Sequence, residues 1–247
     1  MNSGLYSAYS GLRANADLLE VLSNNLANLN TTGYKSDSSF FRVYNHALSE
    51  SEIEPLDRAI NDSTVVQGTM TDFRSGPLTA TGRDLDVALE GPGFLVVETP
   101  AGERYTRNGH LSVSQDGTLV NSEGYAVLSS RGAIKLPPGK VSISQEGVIQ
   151  VNGSRVDTLK VVDFGRAGRL EKMGNSLFAK VDPATAEQTP ANTLIRQGSL
   201  EQSNVNPIQQ MLLMISMMRQ FEGLQKSIQM MMNTVNERSI NQVGRVG

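Results

Sequence analysis

Apolar residues recur along this chain with two different periods. Near the N-terminus Leu5, Leu12, Leu19 and Leu26 repeat every seven residues, and Ala8, Asn15, Leu22 and Leu29 each follow by three. Such an a/d heptad predicts a helix that packs along a coiled-coil-like seam, here over Ser3 to Leu29. The same helix carries Gly4, Ser7, Gly11 and Ala14. An interior glycine costs ~1 kcal/mol against alanine, so these small residues point to a second backbone at close range. Asn30-Thr31-Thr32-Gly33 ends the helix, with Gly33 suited to a left-handed turn.

The C-terminal segment repeats the pattern. Asn206 is placed to cap a helix whose first residue is Pro207. Met214, Phe221, Ile228 and Val235 then recur every seven residues, with Met217, Leu224 and Met231 three after the first three. A further set, Ile208, Met211, Leu212, Ile215 and Met218, occupies an adjoining face. One partner helix would leave part of this surface wet. Seven of the ten methionines lie between Met211 and Met232, and methionine tolerates varied neighbours. The two end stripes fit pairing within one chain and pairing between chains equally.

Between the ends the period drops to two. Strands are predicted at Phe94–Val97, Tyr105–Thr106, Leu111–Val113, Thr118–Val120, Ala126–Leu128, Val141–Ile143, Val148–Val151 and Leu159–Phe164. Turns are predicted at Asn108-Gly109, Asp116-Gly117, Glu123-Gly124, Glu146-Gly147 and Asn152-Gly153. Gly109, Gly117, Gly124 and Gly132 are spaced eight, seven and eight apart. That rhythm suits an antiparallel meander or small barrel rather than βαβ units. The expected fold is α+β: terminal helices paired in a coiled-coil-like domain, and a central antiparallel β domain. The expected divisions are a helix in 1–35, an extended connection in 36–80, the β domain in 81–180, a return connection in 181–204 and a helix in 205–247.

Composition narrows the chemistry. The 247 residues suffice for one large or two modest domains. Cysteine is absent, which excludes disulfides, thiolate metal sites and a cysteine nucleophile. Lys and Arg number 22 against 25 Asp and Glu, leaving a net charge of −3 and no excess positive charge for a nucleic-acid backbone. The longest apolar run near either end, Met211 to Ile215, is far short of the ~20 residues that span a bilayer. Met1 to Tyr6 lacks a basic start and an apolar h-region, so no cleaved secretory signal is expected.

Candidate catalytic groups are few. His46 and His110 are the only histidines, and neither has a partner at zinc spacing. Gly91-Pro92-Gly93 lacks the Gly-Lys-Ser/Thr of a phosphate loop. Asp84, Asp86 and Glu90 cluster, but they flank the alternating Leu85-Asp86-Val87-Ala88-Leu89, which reads as a solvated strand face. No cofactor and no metal are expected.

Three ordered motifs carry a family resemblance. Ser23-Asn24-Asn25-Leu26-Ala27-Asn28 with Thr32-Gly33-Tyr34-Lys35 resembles the N-terminal signature of bacterial flagellar axial proteins, the rod and hook family. Leu85 to Phe94 and Tyr105-Thr106-Arg107-Asn108-Gly109 resemble that family's central motifs, and Gln197 to Asn206 its "QG-LE-SNV" segment. Length, the lack of a large inserted domain and the segment from Leu136 to Phe164 resemble the proximal-rod branch, with the distal rod next. Two departures stand out: Gln210 where the family often has Glu, and Phe221-Glu222-Gly223 where it has Tyr-Glu-x-Asn.

The resemblance implies a structural subunit of the flagellar basal-body rod, exported unprocessed by the flagellar type III apparatus into the periplasm. It would assemble with itself and related rod subunits through its terminal helices and insert in no membrane. The implied assembly contacts are Leu5, Leu12, Leu19, Asn24, Asn25, Leu26 and Asn28, with Ser203, Asn204, Val205, Met214, Phe221, Leu224, Ile228 and Met231. A wall-opening enzyme and a non-flagellar secreted scaffold are the competing classes.

Overall fold

The computed structural model describes residues 2–44, 63–165, 170–190 and 192–243. The chain divides into two compact units. One comprises 1–27, 37–70 and 206–247, the other 28–36 and 71–205.

The first unit holds both helices. Helix α1 spans Asn2–Ala27 and helix α2 Pro207–Val243, and they pack against each other. The predicted cap forms as expected: the Asn206 side chain accepts the Gln209 amide at 3.2 Å and its carbonyl accepts the Gln210 amide at 3.0 Å. Strands β1 (Asp37–Tyr44) and β2 (Ser63–Thr71) pair in this part of the chain. The polar composition of 36–80 gives no period-two signal for that pair.

The second unit is the β body. Its main sheet runs β15 (Leu170–Gly174), β16 (Leu177–Lys180), β6 (Gly102–Thr106), β5 (Phe94–Thr99), β9 (Ala126–Ser129), β8 (Leu119–Val120) and β7 (Ser112–Val113). Strand β10 (Gly132–Ala133) joins at β9 and β14 (Val161–Val162) at β5, and every pairing is antiparallel. A smaller sheet joins β11 (Val141–Ile143), β12 (Val148–Val151) and β13 (Ser154–Thr158). Strand β3 (Leu78–Ala80) pairs with β18 (Ser199–Glu201), and β4 (Val87–Glu90) with β17 (Leu194–Gln197). β17 falls where the prolines at 183 and 190 suggested only a connection. It forms because Ile195 reaches the core opposite Leu89.

Strand β5 shows why the core is continuous. Phe94 to Val97 are all buried, and period-two alternation sends them to opposite faces. Leu95 and Val97 join an aliphatic cluster with Leu89, Leu111, Val127 and Ile149. Phe94 and Val96 join an aromatic one with Tyr105, Phe164 and Phe178. Phe178 meets Phe73 edge-on at 5.2 Å and Phe94 at 5.7 Å between ring centroids.

One predicted turn is corrected. Gly109 makes no hairpin: its carbonyl accepts the Val87 amide at 3.0 Å, and a Cβ there would collide with the Val87 carbonyl. The Asn-Gly pair serves a close backbone approach, while the Asn108 side chain accepts the His110 amide at 3.1 Å. The glycines of the other four predicted turns adopt positive φ.

Candidate functional site

Two places in the chain carry features that packing alone does not explain: the outer surface of α2 and a buried charge cluster in the β body.

On α2 the heptad residues Met214, Met217, Phe221, Leu224 and Ile228 are half-buried, and Met231 is exposed. On α1 Leu22 is buried and Leu12, Leu19 and Leu26 are half-buried, while the side chain of Leu5 lies outside the described residues. The Gly11 position faces the Leu224 side chain at 3.8 Å, so an added methyl would fit without strain. Within one chain, then, nothing requires glycine at 11. Gly223 likewise faces open space.

The second apolar set of α2 has no cover. Ile208 is 71% exposed, Leu212 64%, and Met211, Ile215 and Met218 50% each. At 100° per residue this strip centres roughly 140° around the helix from the heptad seam. The helix therefore presents two apolar faces, of which α1 takes one. Monomers rarely leave apolar patches beyond a few hundred Å² exposed.

The polar residues of the terminal motifs have internal roles. Asn25 is buried; it accepts the Asp37 amide at 2.9 Å and donates to the Asp37 carbonyl at 2.7 Å. Asn24 is exposed. Asn28 accepts the Thr31 hydroxyl at 3.1 Å, and Ser203 accepts the Val205 amide at 3.3 Å. Val205 is buried. Asn204 accepts the Ser36 amide at 2.8 Å and donates to the carbonyls of Asp72 at 2.7 Å and Arg74 at 3.0 Å.

The buried cluster joins one charged residue from each motif. Lys35 Nζ lies 2.6 Å from Glu201 Oε1, and Arg107 Nη1 3.2 Å from Glu201 Oε2, with all three side chains essentially without water contact. Lys35 also donates to the Arg74 carbonyl at 2.9 Å. Arg107 donates to the Gly91 carbonyl at 2.8 Å and lies over the Phe94 ring. Glu201 accepts the Gly76 amide at 2.9 Å as well. Burial pushes the Lys35 ammonium and the Arg107 guanidinium below their ordinary pKa values, while the Glu201 charge and hydrogen bonds pull the other way. Gly33, at φ +68°, lies so close to the Arg107–Asn108 backbone that no side chain fits. The motifs were visible in the sequence, but their meeting was not. The one available signal was a charged residue in each motif, and its polar neighbours did not mark any of the three for burial.

The acidic trio does not form one site. Asp86 is buried, accepts the Thr81 hydroxyl at 2.7 Å and lies 3.1 Å from His110 Nδ1. Glu90 is half-exposed and paired with Arg196, which holds its carboxyl below the usual range. Asp84 is exposed. His46 lies outside the described residues. Among the described residues no group of three or more His, Asp or Glu is placed to hold a metal ion. No helix among them is long and apolar enough to cross a membrane.

An open pocket of about 560 Å³ borders the aromatic cluster, lined by Glu103, Ser129, Lys160, Glu187 and Thr189 among others. Glu187 accepts the Tyr105 hydroxyl at 2.7 Å and pairs with Lys180 at 2.8 Å and Lys160 at 3.1 Å. Partial burial works against its charge, but these three donors win and draw its pKa from 4.5 down to about 2.

Comparison with known proteins settles the family. Residues 5–35 match the model described as flagella basal body rod protein, 88–151 the flagellar hook protein FlgE/F/G D1 domain, and 196–238 the flagellar basal body rod FlgEFG protein C-terminal. The flagellar basal-body rod protein FlgF of Caulobacter vibrioides is 31% identical across 100% of this chain and 99% of its own. The chain belongs to the flagellar basal-body rod protein family. FlgG rod proteins are similar too: that of Borreliella burgdorferi is 30% identical over 93% of this chain and 94% of its own, and that of Bacillus subtilis 31% over 92% and 94%. The middle matched segment of this rod-family chain lies wholly in the β body, while the two outer ones run between the helices and the body, which holds their residues 28–35 and 196–205.

Proposed function

We propose that the chain is a structural subunit of the flagellar basal-body rod, in its proximal part, assembling through its terminal helices into the shaft that transmits motor torque. The observation that carries this reading is the uncovered apolar strip of α2, on a helix whose other apolar face already meets α1. A stiff shaft requires large, permanent contacts between subunits, and that strip provides one. Burial returns roughly 25 cal/mol per Å² of apolar surface.

In this reading Leu5, Leu12, Leu19 and Leu26 pair with Met214, Phe221, Leu224, Ile228 and Met231 in a coiled-coil-like seam. Neighbouring subunits cover Ile208, Met211, Leu212, Ile215 and Met218. The partners are further copies and related rod subunits, with the type III export apparatus delivering the chain unprocessed to the periplasm. The function calls on no catalytic group, cofactor or nucleic acid. Asp84, Asp86 and Glu90 serve the fold.

Deletion of the gene in its host tests this, scored by swimming and by electron microscopy of extracted basal bodies. The expected result is lost motility with structures halted at or before the proximal rod. A halt beyond it would assign the chain to the distal rod. Normal motility with intact rods would overturn the rod assignment in favour of a secreted scaffold.

A further inference from the structure

We infer that Glu201 and Asn204 close a clamp that makes residues 28–36, 71–77 and 198–205 open as one cooperative unit. The chain passes between its two units four times, at 27/28, 36/37, 70/71 and 205/206. On the β-body side, the segments flanking these crossings are laced to one another. Glu201 receives Gly33 N on its carbonyl at 2.8 Å, and Lys35 Nζ and Gly76 N on its carboxylate. Asn204 takes Ser36 N and gives to Asp72 and Arg74, all through one side-chain amide. Backbone bonds from Asp72 N to the Ser36 carbonyl at 2.8 Å and from Gln202 N to the Pro77 carbonyl at 2.9 Å complete the lacing. Arg107 fastens Glu201 to the strand β4 end of the body, through the carbonyls of Leu89 and Gly91.

Cooperativity follows from what one segment would leave behind. If 28–36 lifts away, the fully buried Glu201 loses the Lys35 ammonium and the Gly33 amide, and the half-buried Asn204 loses the Ser36 amide. Arg107 still balances the Glu201 charge, but a buried acceptor left without its donors costs more than the net value of the bonds that held it. The remaining segments are then destabilised together. Every covalent path for force between the two units runs through the four crossings, so the clamp makes them bear load jointly. That last step rests on the rod reading; the cooperative opening does not.

Hydrogen exchange on the purified full-length chain tests the clamp. Asn204→Ala is expected to speed exchange in 28–36 and 71–77 together, by roughly tenfold or more, while β5, β6 and β9 keep their protection. Lys35→Met is expected to do the same, since it leaves the Arg107–Glu201 pair charge-balanced. Faster exchange confined to 203–206, or loss of the whole β body in both variants, would overturn the inference. In the host, Lys35→Met is expected to leave rods assembled and slow swimming only in viscous medium. Missing rods, or a load-independent loss of speed, would overturn the load-bearing role. Normal swimming after gene deletion would remove the rod reading and leave the exchange result standing.

Discussion

Strand β5 and helix α2 are both rich in apolar residues, yet one buries every large apolar side chain and the other leaves most of its own in water. Phe94 to Val97 reach two opposite faces, and the same chain supplies a cluster for each. Helix α2 also carries two apolar faces; among the described residues α1 packs against one, and the strip from Ile208 to Met218 is exposed. An element's apolar periodicity states how many neighbours it needs. The difference between that number and what its own chain supplies marks where another molecule belongs. The β body encloses two packed clusters of its own, while α2 leaves one apolar face in water.

The largest way to break this comparison lies in the body. Phe178→Ala removes a fully buried ring that touches Phe73 and Phe94. It is expected to cost about 3–5 kcal/mol in urea unfolding. A loss below about 1 kcal/mol would show that the aromatic cluster does not hold the body together.

Acid is the next lever. Glu187 is held at about 2 against an ordinary 4.5, so its contribution is complete above about pH 4.5 and is lost as pH falls toward 2. With partial exposure discounted, about 2 kcal/mol of body stability should disappear across that window. Glu187→Gln should remove this part of the pH dependence. An unchanged acid transition in that variant would place the sensitive group elsewhere.

Smaller effects sharpen the helix side. Gly223→Ala places a methyl in open space and is expected to stabilise α2 by up to ~1 kcal/mol, read as a higher helical melting temperature. If the variant melts higher yet fails to assemble, a neighbouring subunit's backbone packs on that glycine. The smallest expected effect on the isolated chain is that of Leu212→Asp, within ~0.5 kcal/mol, because the side chain is already in water.

The heptads and the alternation made both helices and most strands of the main sheet legible in advance, as did the Asn206 cap. Elements whose reason is tertiary were hidden. β1 and β2 mix apolar and polar residues without a period of two, and β17 follows two prolines and owes its existence to Ile195 finding the core. Asn108-Gly109 carries the dipeptide of a tight turn, but the glycine is needed for the approach of Val87. In the candidate site, the two faces of α2 could be read from spacing alone. Which of them the chain would cover could not, because two equal stripes do not say which finds a partner. The Lys35–Glu201–Arg107 cluster joins residues far apart in sequence, and no local period encodes it.

The most direct test of an unfinished helix face on a finished body is Leu212→Asp expressed from the native locus, with extracted basal bodies imaged by electron microscopy and the purified variant melted alongside. The account predicts that the purified chain unfolds as the parent does and that the rod fails to form. Normal rods built from the variant would contradict it, because the bare strip would then be no subunit interface.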